Sequence, residues 1–315
     1  MPSIQHQLLL LSARNIGKAV NRDLSQVQSL RRLLDVSTVP LGLPRDVQTK
    51  TEQVGKLPVE WYFPKGADTS KVILYVHGGG FAVGSVQTHR ALTARMADVA
   101  GCVAISVEYR LAPEHVFPSG LEDVVQAYEW LILKGYNPSD IVMAGDSAGG
   151  GLVMATLLTL RKLGSPMPAG AILMSPWVDL TFSGESAEAH KATDPIVVVD
   201  EIRDWAVVYA GKYSLLHPMV SPVFADLSNL PPIYIQASTA EVLTDDAVRL
   251  HKKIEADGGM SEIKLYEGLI HVWQLLWRYV PEAQEAIEKQ AEFLNGAIEM
   301  ARRAVSQPSE IRKAS

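Results

Sequence analysis

Seven short apolar runs set the narrowest limit on what this chain can fold into: "VEWYF" (59–63), "VILYVH" (72–77), "CVAISVEY" (102–109), "IVMAGD" (141–146), "GAILMS" (170–175), "PIYIQAS" (232–238) and "EIKLYEG" (262–268). Most are apolar at successive rather than alternate positions, so both faces of each strand have to be covered. Strands of a largely parallel sheet meet that condition, because each crossover lays a helix on one face or the other. Stretches of helical period at 88–100, 119–134, 149–163, 245–257 and 282–302 supply the crossovers. The alternation predicts an α/β fold with a mostly parallel, doubly wound sheet. At 315 residues and 47% hydrophobic content, the chain is long enough to cover such a sheet on both sides.

Two segments break the alternation. Residues 5–35 precede any strand and carry Leu24, Val27, Leu30, Leu33 and Leu34 near helical spacing. Residues 183–225 are too long for a simple crossover and contain the helix candidate "EIRDWAVVYAGKY". The expected division is a helical arm over 1–40, a core over 41–182 and 226–305, an insertion over 183–225, and a polar tail over 306–315. A net charge of −6 with scattered basic residues argues against nucleic acid or an anionic membrane as partner. No apolar run reaches the ~20 residues of a membrane span. The N-terminal "MPSIQHQLLLLSARNIG" lacks the basic region of a signal peptide, so a cytoplasmic address is expected. Cys102 is the single cysteine, which excludes an intrachain disulfide and predicts buried packing. A homo-oligomer is neither indicated nor excluded.

"GDSAG" (145–149) follows the strand-like "IVMA" and opens the helical "GGGLVMATLLTLRKL". A Gly-x-Ser-x-Gly turn between strand and helix is a nucleophile elbow, which exposes a serine oxygen at the helix N-terminus. Ser147 is the candidate nucleophile, and Asp146 is expected to hold the turn through hydrogen bonds. Attack on a carbonyl puts negative charge on its oxygen, and donors must already be aimed there. The amide of Ala148 is one such donor. The string "HGGG" (77–80), at the end of a predicted strand, supplies the others from Gly79 and Gly80. Glycine at both positions is expected to let bare backbone face the substrate without a Cβ in the way. His77 precedes the serine and so falls outside the chain order serine, acid, histidine.

"HGGGF" (77–81), "YRLAPEHVFPSGLED" (109–123), "GDSAGG" (145–150), "LPPIYIQASTAEVLTDDA" (230–247) and "YEGLIHVW" (266–273) together resemble the bacterial hormone-sensitive-lipase family of esterases and lipases, in its GDSAG branch. The resemblance runs from about residue 57 to 300. It implies an α/β-hydrolase carboxylesterase acting on short- or medium-chain acyl esters, with no metal or cofactor and a small-molecule ester as its partner. It also implies a small helical cap built from the N-terminal arm and the insertion. Under such a short cap, the bulky Phe81 and Trp177 are the expected substrate-binding residues. An amidase or carbamate hydrolase on the same residues is the alternative enzyme. Plant gibberellin receptors resemble this family but bind rather than cleave; they lack the histidine that this chain has at 271.

Of eight histidines, only His251 and His271 follow every plausible acid. His251 lies in the charged helical stretch "AVRLHKKIEADGG", and His271 in a loop three residues after "KLYEG", where a general base can reach a serine. Candidate acids are Asp179, Asp194, Asp200, Glu241, Asp245 and Asp246. Glu241 lies three residues beyond "PIYIQAS", in the loop after the penultimate predicted strand, and it occupies the family's acid position. That position usually reads Asp-Pro-Leu, whereas this chain has "EVL". Asp245 and Asp246 are expected to open a helix capped by Thr244. Tyr109, Arg110, Glu114 and His115 are expected to brace the glycine loop.

Overall fold

A computed structural model describes residues 2–7 and 24–306. Part of the expected arm (1 and 8–23) and all but Ser306 of the expected tail lie outside the described residues. Helix α1 (Val27–Thr38) leads into β1 (Val47–Val54), β2 (Leu57–Pro64) and β3 (Asp68–Val76). The alternation then runs through α2 (Val86–Ala100), β4 (Cys102–Val107), α3 (Ser119–Leu133), β5 (Ile141–Asp146), α4 (Ala148–Leu163) and β6 (Gly170–Met174). Helices α5 (Glu185–Ala189) and α6 (Val199–Ala210) fall in the insertion, before β7 (Ile233–Ser238), α7 (Thr244–Ala256), β8 (Ser261–Tyr266) and α8 (Pro281–Ser306).

The strands form one sheet in the order β1-β2-β4-β3-β5-β6-β7-β8. Pairing is antiparallel for β1 with β2 and β2 with β4, and parallel from β4 onward. Within β3 the side chains divide by the period of two: Val72, Leu74 and Val76 join the core under α3, α4 and α7. Ile73 and Tyr75 join the opposite core, under α2 and α8. Both faces are covered, which is why the strands read as continuous apolar runs. Strand β1, "VQTKTEQV", escapes that reading. It is a mostly exposed edge strand, so it needs no apolar face, and polar side chains suit an edge.

Parallel strands bring their carboxyl ends to one edge of the sheet, where open α/β folds place their sites. The loops after β3, β5, β7 and β8 therefore converge. The insertion and α1 pack over the first of them: Val27 and Leu30 of α1 and Trp205 of α6 cluster with Ala82 and Val83. Arg31 of α1 donates to the carbonyls of Ala82 and Ala112, both at 2.8 Å, and pairs with Glu114. No helix among the described residues is long and apolar enough to cross a membrane. Cys102 is buried in β4, where burial pushes its thiol up to about 12.

Candidate active site

Ser147 stands between β5 and α4 at φ 49° and ψ −123°, a left-handed conformation that costs a side-chain-bearing residue energy. Its neighbours hold it there. Its N–H donates to Met174 O at 2.8 Å, and its carbonyl accepts from Trp177 N at 2.9 Å and Gly151 N at 3.2 Å. The flanking glycines are steric requirements: a Cβ on Gly149 would lie 2.1 Å from Val76 O, and one on Gly145 would lie 2.7 Å from Gly149 C. Asp146 holds the turn as expected. Its Oδ1 accepts from Tyr75 Oη at 2.6 Å and Gly78 N at 3.0 Å, and its Oδ2 lies 3.3 Å from His89 Nε2. Burial alone would raise its pKa, but His89 and the Tyr75 hydroxyl outweigh burial and hold it below the ordinary carboxylate value.

The protein's own packing already requires the glycines of this loop. Gly79 (φ +116°) and Gly80 (φ +59°) both lie in the left-handed region. A Cβ on Gly79 would lie 2.2 Å from Val83 O, and one on Gly80 would lie 2.6 Å from Trp205 Cε3. The obstacle is thus the loop's own turn and a tryptophan of the insertion. Gly79 O accepts from Ala82 N and Val83 N at 3.1 and 2.9 Å, closing the turn. Among the described residues, the amides of Gly79, Gly80 and Ala148 donate to no backbone carbonyl. Tyr109 braces the loop by donating to His77 O at 2.9 Å, and Glu114 does so through Arg31. Arg110 instead pairs with Asp123 at 2.8 Å. His77 is buried against Tyr109 and His89, and burial depresses its pKa to about 3, so it stays neutral.

His271 Nδ1 lies 2.6 Å from Glu241 Oε2. Glu241 is 0% exposed, and its Oε1 accepts from Ser238 N at 2.7 Å and Ser175 Oγ at 2.9 Å. Burial alone would lower the His271 pKa. The hydrogen bond and charge of Glu241, with smaller contributions from Asp194 and Asp146, reverse the sign and raise it. The other carboxylates are engaged elsewhere: Asp179 with Arg249 at 2.6 Å, Asp200 with Lys191 at 2.8 Å, and Asp245 with Ser186 N at 2.9 Å. Asp246 accepts the amides of Val178 and Asp179, both at 2.8 Å. The cap of α7 departs from expectation. Leu243 holds the cap position, and Thr244, inside the helix, donates to Ser238 O and Glu241 O at 2.7 Å. Thr244 thus ties the carbonyl of Glu241. His251 lies on α7 beside Ser261 and Glu255.

A family model described as an alpha/beta hydrolase fold matches residues 73–275. An esterase crystal structure from the bacterial hormone-sensitive lipase family superposes with a TM-score of 0.90 at 38% identity, over 95% of this chain and 99% of that one. The chain is an α/β hydrolase of the hormone-sensitive-lipase type. An acetyl-hydrolase of Streptomyces hygroscopicus is 39% identical to it over 82% of this chain and 85% of that one. An esterase of Acinetobacter venetianus is 36% identical over 72% and 75%.

Sequence reasoning missed several residues that shape the hydrolase's site. Ser175 (φ +45°) and Val272 (φ +50°) join Ser147 and Phe81 among the seven non-glycine residues with positive φ, so four of the described strained positions flank the site. Only a turn-like "SP" hinted at Ser175. His6 accepts the Ile270 N–H at 3.0 Å and so braces the residue before His271, a contact spanning 264 positions that no local pattern announces. Phe81 and Trp177 were expected to meet substrate; both are buried among aromatic rings. Phe81 stacks on Tyr209 of α6 at 3.7 Å and leans on Trp177 at 5.4 Å. Trp177 is 0% exposed, supporting the elbow through its amide.

Proposed function

We propose that this carboxylic ester hydrolase cleaves short- to medium-chain acyl esters through an acyl-enzyme on a Ser147–His271–Glu241 triad. The observation that carries the reading is the 2.6 Å bond from His271 Nδ1 to a carboxylate with no exposed surface. That bond leaves Nε2 as the nitrogen free to take a proton, and it stabilises the imidazolium once formed. Ser147 Oγ attacks the ester carbonyl carbon as Nε2 takes its proton, giving a tetrahedral oxyanion. The amides of Gly79, Gly80 and Ala148 stabilise that charge. The C–O bond to the alcohol then breaks, His271 returns the proton to the leaving oxygen, and water repeats the sequence on the acyl-serine. The base must be neutral to act, and its pKa is raised, so activity falls as pH drops through a value above the ordinary one for histidine.

The insertion and α1 act as the cap, with Trp205 lying against Gly80. Phe81, next in the loop and backed by Trp177 and Tyr209, bounds the space for an acyl group. Small acyl groups suit that aromatic enclosure, in keeping with the acetyl-hydrolase relative. A p-nitrophenyl ester series from about C2 to C16 tests this, with a maximum expected at about C4–C8 and little turnover at C16. A maximum at C14 or longer overturns the size assignment. Ser147→Ala, run beside it, abolishes turnover at unchanged fold; retained turnover removes the nucleophile.

A further inference from the structure

Asp194 belongs to the insertion, yet its carboxylate ends beside the residue proposed as the catalytic acid. Oδ2 accepts the Val242 N–H at 2.9 Å, one residue after Glu241. Oδ1 accepts the N–H groups of Ile196 at 2.8 Å and Val197 at 3.0 Å, so the carboxylate joins its own loop to the acid's loop. The insertion grips the same stretch from its other side: Ser186 Oγ donates to Val242 O at 2.7 Å, and Ser186 and Asp245 exchange two further bonds at 2.9 and 3.0 Å. Glu241 is therefore clasped by core groups at its side chain and by the insertion at the following residue.

The charge on Asp194 calls for its own explanation. The residue is 7% exposed, and burial raises its pKa. Its two oxygens accept amides from two loops, whereas an asparagine has one acceptor oxygen and would turn its NH2 toward one set of those donors. Three N–H donors favour the ionised form, and the cation that acts on it is the His271 imidazolium. Three carboxylates act on His271: Glu241 by direct contact, with Asp194 and Asp146 through the field, and Asp146 is already paired with His89. We propose that Asp194 is a positioning residue for the hydrolysis, fixing the peptide that follows Glu241 and so the carboxylate that orients His271. This rests on the Ser147–His271–Glu241 reading.

The test is the pH profile of kcat/KM for Asp194→Asn, with kcat and KM measured separately. Asparagine keeps the shape and one acceptor oxygen, removes the charge and turns an NH2 toward the donors of the other oxygen. The acid limb is expected to move to lower pH by up to about one unit, with kcat lowered by up to ~10-fold and KM within about twofold. An unmoved limb with kcat within about twofold overturns the proposal, as does a loss of thermal stability with no change in the profile. Asp194→Ala also removes the acceptor, so a larger fall in kcat is expected; should it fail to fold, the asparagine variant still decides. Glu241→Gln is measured in parallel. Wild-type turnover in Glu241→Gln would remove the triad itself, whereas an inactive Glu241→Gln beside an unchanged Asp194→Asn removes this inference alone.

Discussion

The glycine loop and the Glu241–His271 pair both follow strands of the same sheet at their carboxyl ends, but they are held in place by opposite means. Around Gly79 and Gly80 the geometry comes from backbone conformation: two left-handed residues, a turn closed on Gly79 O, and no room for a Cβ. Around Glu241 it comes from side-chain hydrogen bonds, with Ser175, Ser238 and His271 using both carboxylate oxygens. A backbone-built element fails as a whole when its shape is disturbed, because turn and donors are the same atoms. A side-chain-built one loses its contributions one at a time. The two regions should therefore respond differently to substitution, one in stability and rate together and the other in rate alone.

Glu241→Gln should give the largest effect, a fall in kcat of up to ~10⁴ at unchanged thermal midpoint. Glutamine has nearly the same shape but carries no charge to stabilise the imidazolium. Near-wild-type kcat here would move the acid's role to another carboxylate and dissolve the contrast. Gly79→Ala comes next. Its Cβ would lie 2.2 Å from Val83 O at φ +116°, so both kcat, by ~10²–10³, and the thermal midpoint should drop. A variant that lost rate but kept its midpoint would show the loop to be less constrained by its backbone than its geometry implies. Ser175→Ala is the mildest probe. It removes a 2.9 Å bond to Glu241 while the Ser238 amide stays, so kcat should fall by roughly 10-fold with KM unchanged, as for a bond of ~1.5 kcal/mol to a charged group. An unaltered kcat would mean that the amide alone orients the acid.

Ser147, Asp146 and the flanking glycines were legible because strand, turn and helix are consecutive in the chain, and a tight turn writes its steric demands into adjacent residues. The sheet was legible for a similar reason. Strand stretches covered on both faces must be apolar, as Val72–Val76 of β3 and Ile141–Ala144 of β5 are, while the exposed edge strand β1 needs no such signature and went unread. Trp177 was singled out for its bulk, and in the fold it is fully buried. A large aromatic near the site can line a pocket or fill the space behind it, and burial decides between these.

The sequence by itself determined the fold class, and from local pattern and chain order it proposed Ser147, the glycine loop and His271 for the site. Among six candidate carboxylates it favoured Glu241 as the acid. Only tertiary structure shows where they lie: Asp179, Asp200, Asp245 and Asp246 find partners elsewhere, and Glu241 meets His271 across thirty residues. It also brought Asp194 of the insertion, His6 of the N-terminal segment and Trp205 of α6 to the site's supporting shell. Hydrogen bonds and steric limits act over a few ångströms in space. A sequence records them only where neighbours in space are also neighbours along the chain.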